Sequence, residues 1–308
     1  RATALSIYAL GIPFGTMIGS YVGGWGADEL GWRYTFFLVG IPGIFVALII
    51  ALTLREPPRG LSDVKPVLNT AQKAAAEAAP KPEAPHVKEV LNFLWAKVSF
   101  RHLSFAAGLH AFVSYGASTW NAPFFTRIHS MSSTDLGAAL ALVAGVGAIG
   151  TFAGGYLSDK LSDRTGDKRW YFWVPGIATI IMVPFQLVAY LYDGTTAAIA
   201  SLCMVAIMGN VYLGPSFAMT QALVSLRMRA VASAILLFVL NLIGMGLGPY
   251  FVGILSDLFA PTFGIESLRY ALCIAVLVNL WAGVHYMLGA RSMRGDLLET
   301  EAMNAKLV

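Results

Sequence analysis

The succession of long apolar stretches constrains this chain more than any other feature of its sequence. Eight stretches of about 20 residues, each long enough to cross a bilayer, follow one another along the 308 residues. Hydrocarbon offers the backbone no hydrogen-bond partner, so the sequence predicts an all-α membrane protein. The alternation of apolar and polar residues that is typical of a membrane barrel is absent. The predicted spans are approximately 3–27, 33–54, 100–125, 135–158, 170–192, 196–225, 229–256 and 267–290.

Charged residues are scarce and unevenly placed. They make up 12% of the chain, against about 25% in soluble domains. All but three of the 21 lysines and arginines fall on one side of the predicted membrane, the exceptions being Arg33, Arg127 and Arg269. Because basic residues accumulate in cytoplasmic loops, we expect a multi-pass protein of the bacterial inner membrane with both termini in the cytoplasm. The partner that these charges indicate is then the lipid bilayer and not nucleic acid.

The first and seventh predicted spans resemble each other. Each opens on Arg-Ala-x-Ala, at residues 1–4 and 229–232, and continues into a Gly-x-x-x-Gly pair, at 15–19 and 244–248. Because these spans lie six helices apart, we interpret the chain as parts of two six-helix bundles. Four further helices are then expected before residue 1. The alternative is a complete eight-span protein in which the repeat is a coincidence.

This interpretation divides the chain into four parts. Residues 1–60 would complete the first bundle, residues 100–292 would form the second, and residues 293–308 would be a cytoplasmic tail. The linker 61–99 is rich in Ala, Pro, Lys and Glu, which predicts a flexible segment. Its last part, 87–96, is amphipathic and predicts either a short helix at the cytoplasmic interface or the entry to the third span.

Glycines recur at every fourth position of the first predicted span. They are Gly11, Gly15, Gly19 and Gly23. Residues four apart share one face of a helix, so these glycines predict a smooth groove on which another helix packs and slides. Gly244, Gly248 and Pro249 repeat this pattern in the seventh span.

A charged motif follows the fourth predicted span. It comprises Gly155, Asp159, Lys160 and Arg164. Asp159 lies beside several bases, and an ion pair with Arg164 would hold the cytoplasmic face closed until water replaces it. The alternative is a solvated loop whose charges only set the membrane topology.

Together these motifs resemble the major facilitator superfamily. The Gly-x-Leu-x-Asp-Lys sequence at 155–160 is similar to the loop after the second helix of each half, and the first-span glycines are similar to the fifth-helix motif. Stretches at 55–60, 229–234 and 246–257 resemble the spinster-like branch. The resemblance implies a major facilitator fold of twelve helices, eight of them present, with a central cavity and alternating access. It also implies lysolipid or sphingoid phosphate solutes, often with a co-transported proton.

Polar side chains within the predicted spans are the candidates for a solute cavity, because such residues are costly in hydrocarbon. The candidates are Tyr8, His110, Ser114, Tyr115, Ser118, Trp120, Asn121, Asn210, Gln221 and Asn241. Between His110 and Asn121, four of them share one helix face within about 80°. Pro215 predicts a bend between Asn210 and Gln221. The alternative is that these side chains bind neighbouring helices.

The sequence favours a monomeric secondary transporter of a small organic or amphipathic solute. A membrane enzyme would need carboxylates or a Ser/His pair at membrane depth, whereas all 17 acidic residues fall in loops or at span ends. A non-transporting receptor or scaffold with the same fold is the remaining alternative. Proton coupling would depend on His110 or on an acid in the four further helices. Cys203 and Cys273 lack metal-site spacing, so we expect no metal and no cofactor.

Overall fold

The computed structural model describes residues 2–54 and 85–305, with side chains from residue 11 to residue 303 within those ranges. These residues form eleven α-helices, joined by turns, and no strands. The helices are α1 (Ala2–Glu29), α2 (Trp32–Thr53), α3 (Val87–Ala96), α4 (Val98–Arg127), α5 (Ser133–Thr165), α6 (Trp170–Leu191), α7 (Thr195–Gly209), α8 (Leu213–Ala222), α9 (Arg229–Val239), α10 (Gly248–Phe263) and α11 (Ser267–Ala305).

The eight predicted spans match this set of helices. Six spans are single helices, namely α1, α2, α4, α5, α6 and α11, and the other two are the pairs α7–α8 and α9–α10. Five segments are long and apolar enough to cross a membrane, and the one at Leu226–Met303 contains two predicted spans. The other two spans, α1 and α4, have 28 and 30 residues, which exceeds the length that a bilayer requires. The prediction of an all-helical multi-pass membrane protein is confirmed.

Two of the spans are interrupted next to a proline. A 3₁₀ turn at Asn210–Tyr212 separates α7 from α8, and a π-helical segment at Leu240–Leu247 separates α9 from α10. Pro215 and Pro249 have no N–H, so the carbonyl four residues before each of them loses its α-helical donor. The backbone changes its hydrogen-bonding register at these points.

The helices pack in a consistent order. Helix α11 lies along α4 and α6, and α1 lies along α5. The crossing of α1 and α5 is close, because a Cβ on Gly24 would lie 2.7 Å from the Cα of Gly137. Asp28 of α1 also accepts hydrogen bonds from the backbone N–H and the hydroxyl of Thr134, at 2.7 and 2.8 Å. These contacts fix α1 against the helices that follow it.

The predicted glycine groove is not the surface through which α1 packs on α5. A Cβ added to any of its glycines would have no atom within 4 Å in the described part of the chain: Gly11, Gly15, Gly19 and Gly23. The last two instead line a cavity of about 330 Å³ between α1 and α2. The spacing identified a small-residue face correctly, but the neighbouring face, which carries Gly24, is the one that meets α5.

The regions outside the spans differ in part from the expectation. Helix α3 spans residues 87–96 as predicted, with Val90 and Leu94 fully buried. Residues 293–305 are not a separate tail, because α11 continues through them and buries Met293 and Thr300. Residues 61–84 of the predicted linker, residues 55–60 before it and residues 306–308 lie outside the described residues.

Candidate functional site

A cavity of about 460 Å³ lies between α1 on one side and α4, α5, α7 and α8 on the other. Seven of its lining residues are apolar and six are polar. They are Ile12, Pro13, Thr16, Ser20, Ser118, Asn121, Leu140, Val143, Ala144, Thr151, Ala206, Asn210 and Leu213. The volume falls within the range of about 300–1,000 Å³ that is typical of small-molecule sites. None of the residues in this lining is charged.

Asn121 presents a hydrogen-bond donor to the cavity. Its Oδ1 accepts a hydrogen bond of 2.8 Å from the hydroxyl of buried Tyr190 on α6. This bond fixes the orientation of the amide, and its Nδ2 has no partner among the described residues. The N–H groups of Asn121 are therefore available to a solute oxygen.

Asn210 presents the complementary acceptor. It is the first residue of the 3₁₀ turn after α7, and its Nδ2 donates to the carbonyl of Ala206 at 3.0 Å. The amide oxygen is left free within the described part of the chain. On α5, Gly147 leaves room for this amide, because a Cβ there would lie 2.6 Å from Asn210 Nδ2.

Hydroxyl groups supply further acceptors. Ser118 donates to the carbonyl of Tyr115 at 3.3 Å, and Thr16 donates to the carbonyl of Ile12 at 2.9 Å. Each hydroxyl oxygen retains lone pairs toward the cavity. The wall therefore combines an apolar surface with a few neutral polar groups.

His110 does not line this cavity, in contrast to the prediction. It is fully buried, and its Nε2 donates to the carbonyl of Gly209 at 2.9 Å. Thr179 of α6 donates to its Nδ1 at 3.1 Å. The helical angle that His110 shares with Asn121 does not bring the two together, because eleven residues separate them by about 16 Å along the helix axis.

Three other predicted cavity residues contact helices instead. Trp120 donates through Nε1 to the carbonyl of Pro249 at 2.8 Å. Gln221 donates to the hydroxyl of Ser233 at 2.9 Å, and Asn241 donates to Leu237 of its own span at 2.8 Å. Trp120 and Gln221 thus contact neighbouring helices, which is the alternative that the sequence left open, whereas Asn241 bonds only to its own helix.

The remaining candidates are placed as follows. Ser114 is half-buried and Tyr115 is exposed, and both lie outside the lining of the cavity. Tyr8 lies outside the residues whose side chains are described.

Helix α4 packs closely on the seventh span, because a Cβ on Gly244 would lie 2.8 Å from that of Ala111. A Cβ on Gly248 would similarly meet the carbonyl oxygen of Phe112.

The charged motif after the fourth span differs from its predicted geometry. Helix α5 continues to Thr165, so Asp159 and Lys160 lie on its last turns and not in a loop. The hydroxyl of Tyr171 donates to Asp159 at 2.6 Å, and no ion pair joins Asp159 to Arg164 in the described ranges. The helix continues past the apolar stretch and ends only at Gly166, which adopts a left-handed conformation at φ 66°.

An ion cluster beside this motif takes the place of the predicted pair. Asp167 follows Gly166 and accepts hydrogen bonds from the guanidinium groups of Arg169 and Arg294 at 2.9 and 2.8 Å. Hydrogen bonding by Arg169 lowers the pKa of the Asp167 carboxyl to about 2. Because Arg294 belongs to α11, the cluster joins the α5–α6 turn to the last helix.

Several polar and glycine positions were not identified from the sequence. The amide of Asn279 on α11 donates to Gln186 on α6 at 2.9 Å, and both side chains are buried. On α5, Gly147, Gly150 and Gly154 receive the end of α7 and the turn that follows it. Their spacing of three and four residues is the signal that could have identified them.

The fold and the cavity define a class: a polytopic helical membrane protein with a solute-sized cavity between its spans. The model of the Major Facilitator Superfamily matches residues 1–249, and the chain belongs to this family of membrane transporters. The family is not a class of enzymes.

Individual relatives place the chain near the spinster-like branch. It is 29% identical over 308 residues to an MFS-type efflux pump of Mycolicibacterium smegmatis, covering 97% of this chain and 66% of the pump. It is 23% identical to Protein spinster homolog 3 of Danio rerio, covering 99% of this chain and 62% of that protein. The chain thus spans about two thirds of the length of these curated relatives.

A solved structure supports the same placement. The chain is similar to a bacterial homolog of the human lysosomal transporter Spinster, crystallised in an inward-facing and unoccupied conformation. The TM-score is 0.79 at 31% sequence identity, and the match covers 96% of this chain and 72% of the other.

Proposed function

We propose that the protein is a monomeric secondary active transporter that moves a small amphipathic organic solute by alternating access. The observation that carries this proposal is the cavity between α1 and helices α4, α5, α7 and α8. In our interpretation, α1 belongs to the first bundle and the other helices to the second. A cavity between two bundles is the place where rocking would expose a solute to each side in turn.

The lining indicates the chemistry of the solute. Seven apolar residues suit a hydrocarbon or aromatic body, and the free groups of Asn121 and Asn210 suit a polar group that both accepts and donates hydrogen bonds. This combination fits a small organic or lysolipid-like molecule. The uncharged wall offers no ion pair, so affinity would come from burial and neutral hydrogen bonds.

The interruptions of two spans support the proposed motion. The turn at Asn210–Tyr212 borders the cavity, and the π-helical segment at Leu240–Leu247 packs on α4, which also borders it. Helices bend most readily where the backbone ladder is already broken. These two points are therefore suited to act as hinges.

The charges bear on the coupling and the orientation of the proposed transporter. The cavity lining holds no carboxylate, so a co-transported proton would require a carrier outside it. The excess of basic residues at one side supports a cytoplasmic position for both ends in the bacterial inner membrane.

The proposal is tested by solute uptake into vesicles that contain the full-length protein. Asn121→Leu and Asn210→Leu should each raise the KM by about tenfold, the effect of losing one hydrogen bond to a buried group. Asn241→Leu is the matched control, because its amide makes the same kind of bond within its own span as that of Asn210 but does not line the cavity. Equal KM values in all three variants, or a protein that binds solute without moving it, would refute the proposal. The latter result would favour a receptor.

A further inference from the structure

The turn that presents Asn210 to the cavity is unusually well anchored. Gly209 is the last residue of α7, and its carbonyl lies where the α-helical ladder gives way to the 3₁₀ turn Asn210–Tyr212. A second helix reaches this carbonyl, because the Nε2 of His110 on α4 donates to Gly209 at 2.9 Å.

His110 also contacts the other end of the turn. Its imidazole ring lies 4.2 Å from the ring of Tyr212, measured between centroids. One buried side chain thus holds both the residue before the turn and the residue that ends it. Asn210, the cavity residue, lies between these two contacts.

A third helix fixes the orientation of the imidazole. Thr179 of α6 donates its hydroxyl to the Nδ1 of His110 at 3.1 Å. With Nε2 as donor and Nδ1 as acceptor, the neutral ring has both nitrogens engaged. No carboxylate contacts it among the described residues.

Helix α5 supports the turn from the opposite side. A Cβ on Gly150 would collide with the carbonyl of Ile207, and one on Gly154 would lie 2.7 Å from the Cα of Val211. The backbone from 207 to 211 therefore has little space to move toward α5. With α5 against one part of the turn, the contacts with His110 hold its two ends from α4.

We propose that His110 is a positioning residue for transport, which holds the α7–α8 turn so that the amide of Asn210 faces the solute. The inference rests on the function proposed above and goes beyond it by giving a role to a residue that touches no solute. It also assigns His110 a role other than proton carriage.

The transport test measures uptake of a lysophospholipid, one of the solutes proposed above, by the full-length protein in vesicles, with two substitutions of different chemistry. The side-chain amide of His110→Gln reaches about as far as the imidazole Nε2 and retains a donor for Gly209, whereas His110→Leu has none. We expect His110→Leu to raise the KM by about tenfold, and His110→Gln to preserve both the KM and the pH profile of uptake. A pH profile flattened by His110→Gln would show that the imidazole titrates, and would overturn the proposal.

A second pair of variants examines the support from α6. Thr179→Val removes the hydroxyl without changing the shape of the side chain, and Thr179→Ser retains it. The proposal expects a raised KM only for Thr179→Val. The same KM for both variants would contradict a positional role for the ring.

A measurement independent of transport separates this inference from the proposed function. In a background in which the other cysteines, including Cys203 and Cys273, are replaced, Asn210→Cys is labelled with a water-soluble thiol reagent. We expect His110→Leu to change the labelling rate by about tenfold and His110→Gln to leave it unchanged. An unchanged rate in His110→Leu overturns the inference, whatever the uptake assay shows.

Discussion

Replacing Gly150 by alanine tests the packing behind the cavity wall. A Cβ at this position would run into the carbonyl of Ile207, which belongs to α7. Backbone atoms cannot rotate away as a flexible side chain can, so α5 and α7 would have to separate. Thr151, the next residue, lines the cavity, and the separation would therefore widen the site.

The magnitude follows from two opposing effects. Overpacking a close helix contact costs about 1–3 kcal/mol, and removing a glycine from a helix gains about 1 kcal/mol. Gly155 lies on the same helix and has no described atom within 4 Å of its Cβ position. Gly155→Ala therefore has the gain in helix stability without the cost of overpacking. We expect Gly150→Ala to be less stable than Gly155→Ala by about 1–3 kcal/mol.

The assay is equilibrium unfolding of the full-length protein in mixed detergent micelles, with solute uptake measured in parallel. Gly150→Ala should lower the free energy of unfolding relative to Gly155→Ala and reduce uptake. If the two variants unfold at the same detergent fraction, the close approach of α5 to α7 is not as the structure describes it.

Two further predictions concern polar contacts of α11. The pKa of Asp167 is lowered from 3.8 to about 2 by its partner Arg169, so its stabilisation is complete above about pH 4 and is lost as pH falls toward 2. Asp167→Asn should cost about 2 kcal/mol at pH 7 and abolish this pH dependence, and a pH titration of unfolding that is the same in both proteins would contradict it. Gln186→Leu should cost about 1–3 kcal/mol by leaving the buried amide of Asn279 unpaired, and the double replacement by leucine should recover most of this loss. A double variant as unstable as the single one would refute that explanation.

The sequence was sufficient for the features that depend on one segment alone. The lengths of the apolar stretches predicted the eight spans, and the amphipathic pattern at 87–96 predicted a helix with the same bounds as α3. Pro215 predicted a bend in the sixth span, and the structure has a 3₁₀ turn at Asn210–Tyr212, just before this proline. Each of these features is dictated by local hydrogen bonding and by the length of the bilayer core.

The sequence was not sufficient where a helix meets a particular neighbour. A helical angle shows which residues share a face, but not which element covers that face at each depth. His110 and Asn121 share a face, yet one is packed between α6 and α7 while the other borders the cavity. For the same reason, the glycines of α1 were identified without showing that Gly24 makes the contact. The buried pair of Gln186 and Asn279 depends on two helices whose pairing the sequence does not state.

The most direct test of the account asks whether the cavity residue at position 121 is reached from both sides of the membrane. In the full-length protein with its other cysteines replaced, Asn121→Cys is exposed to an impermeant thiol reagent from either side of sealed vesicles. Alternating access predicts labelling from each side, slowed in both cases by a transported amphipathic solute. Labelling from one side only, at a rate that solute does not change, would contradict it.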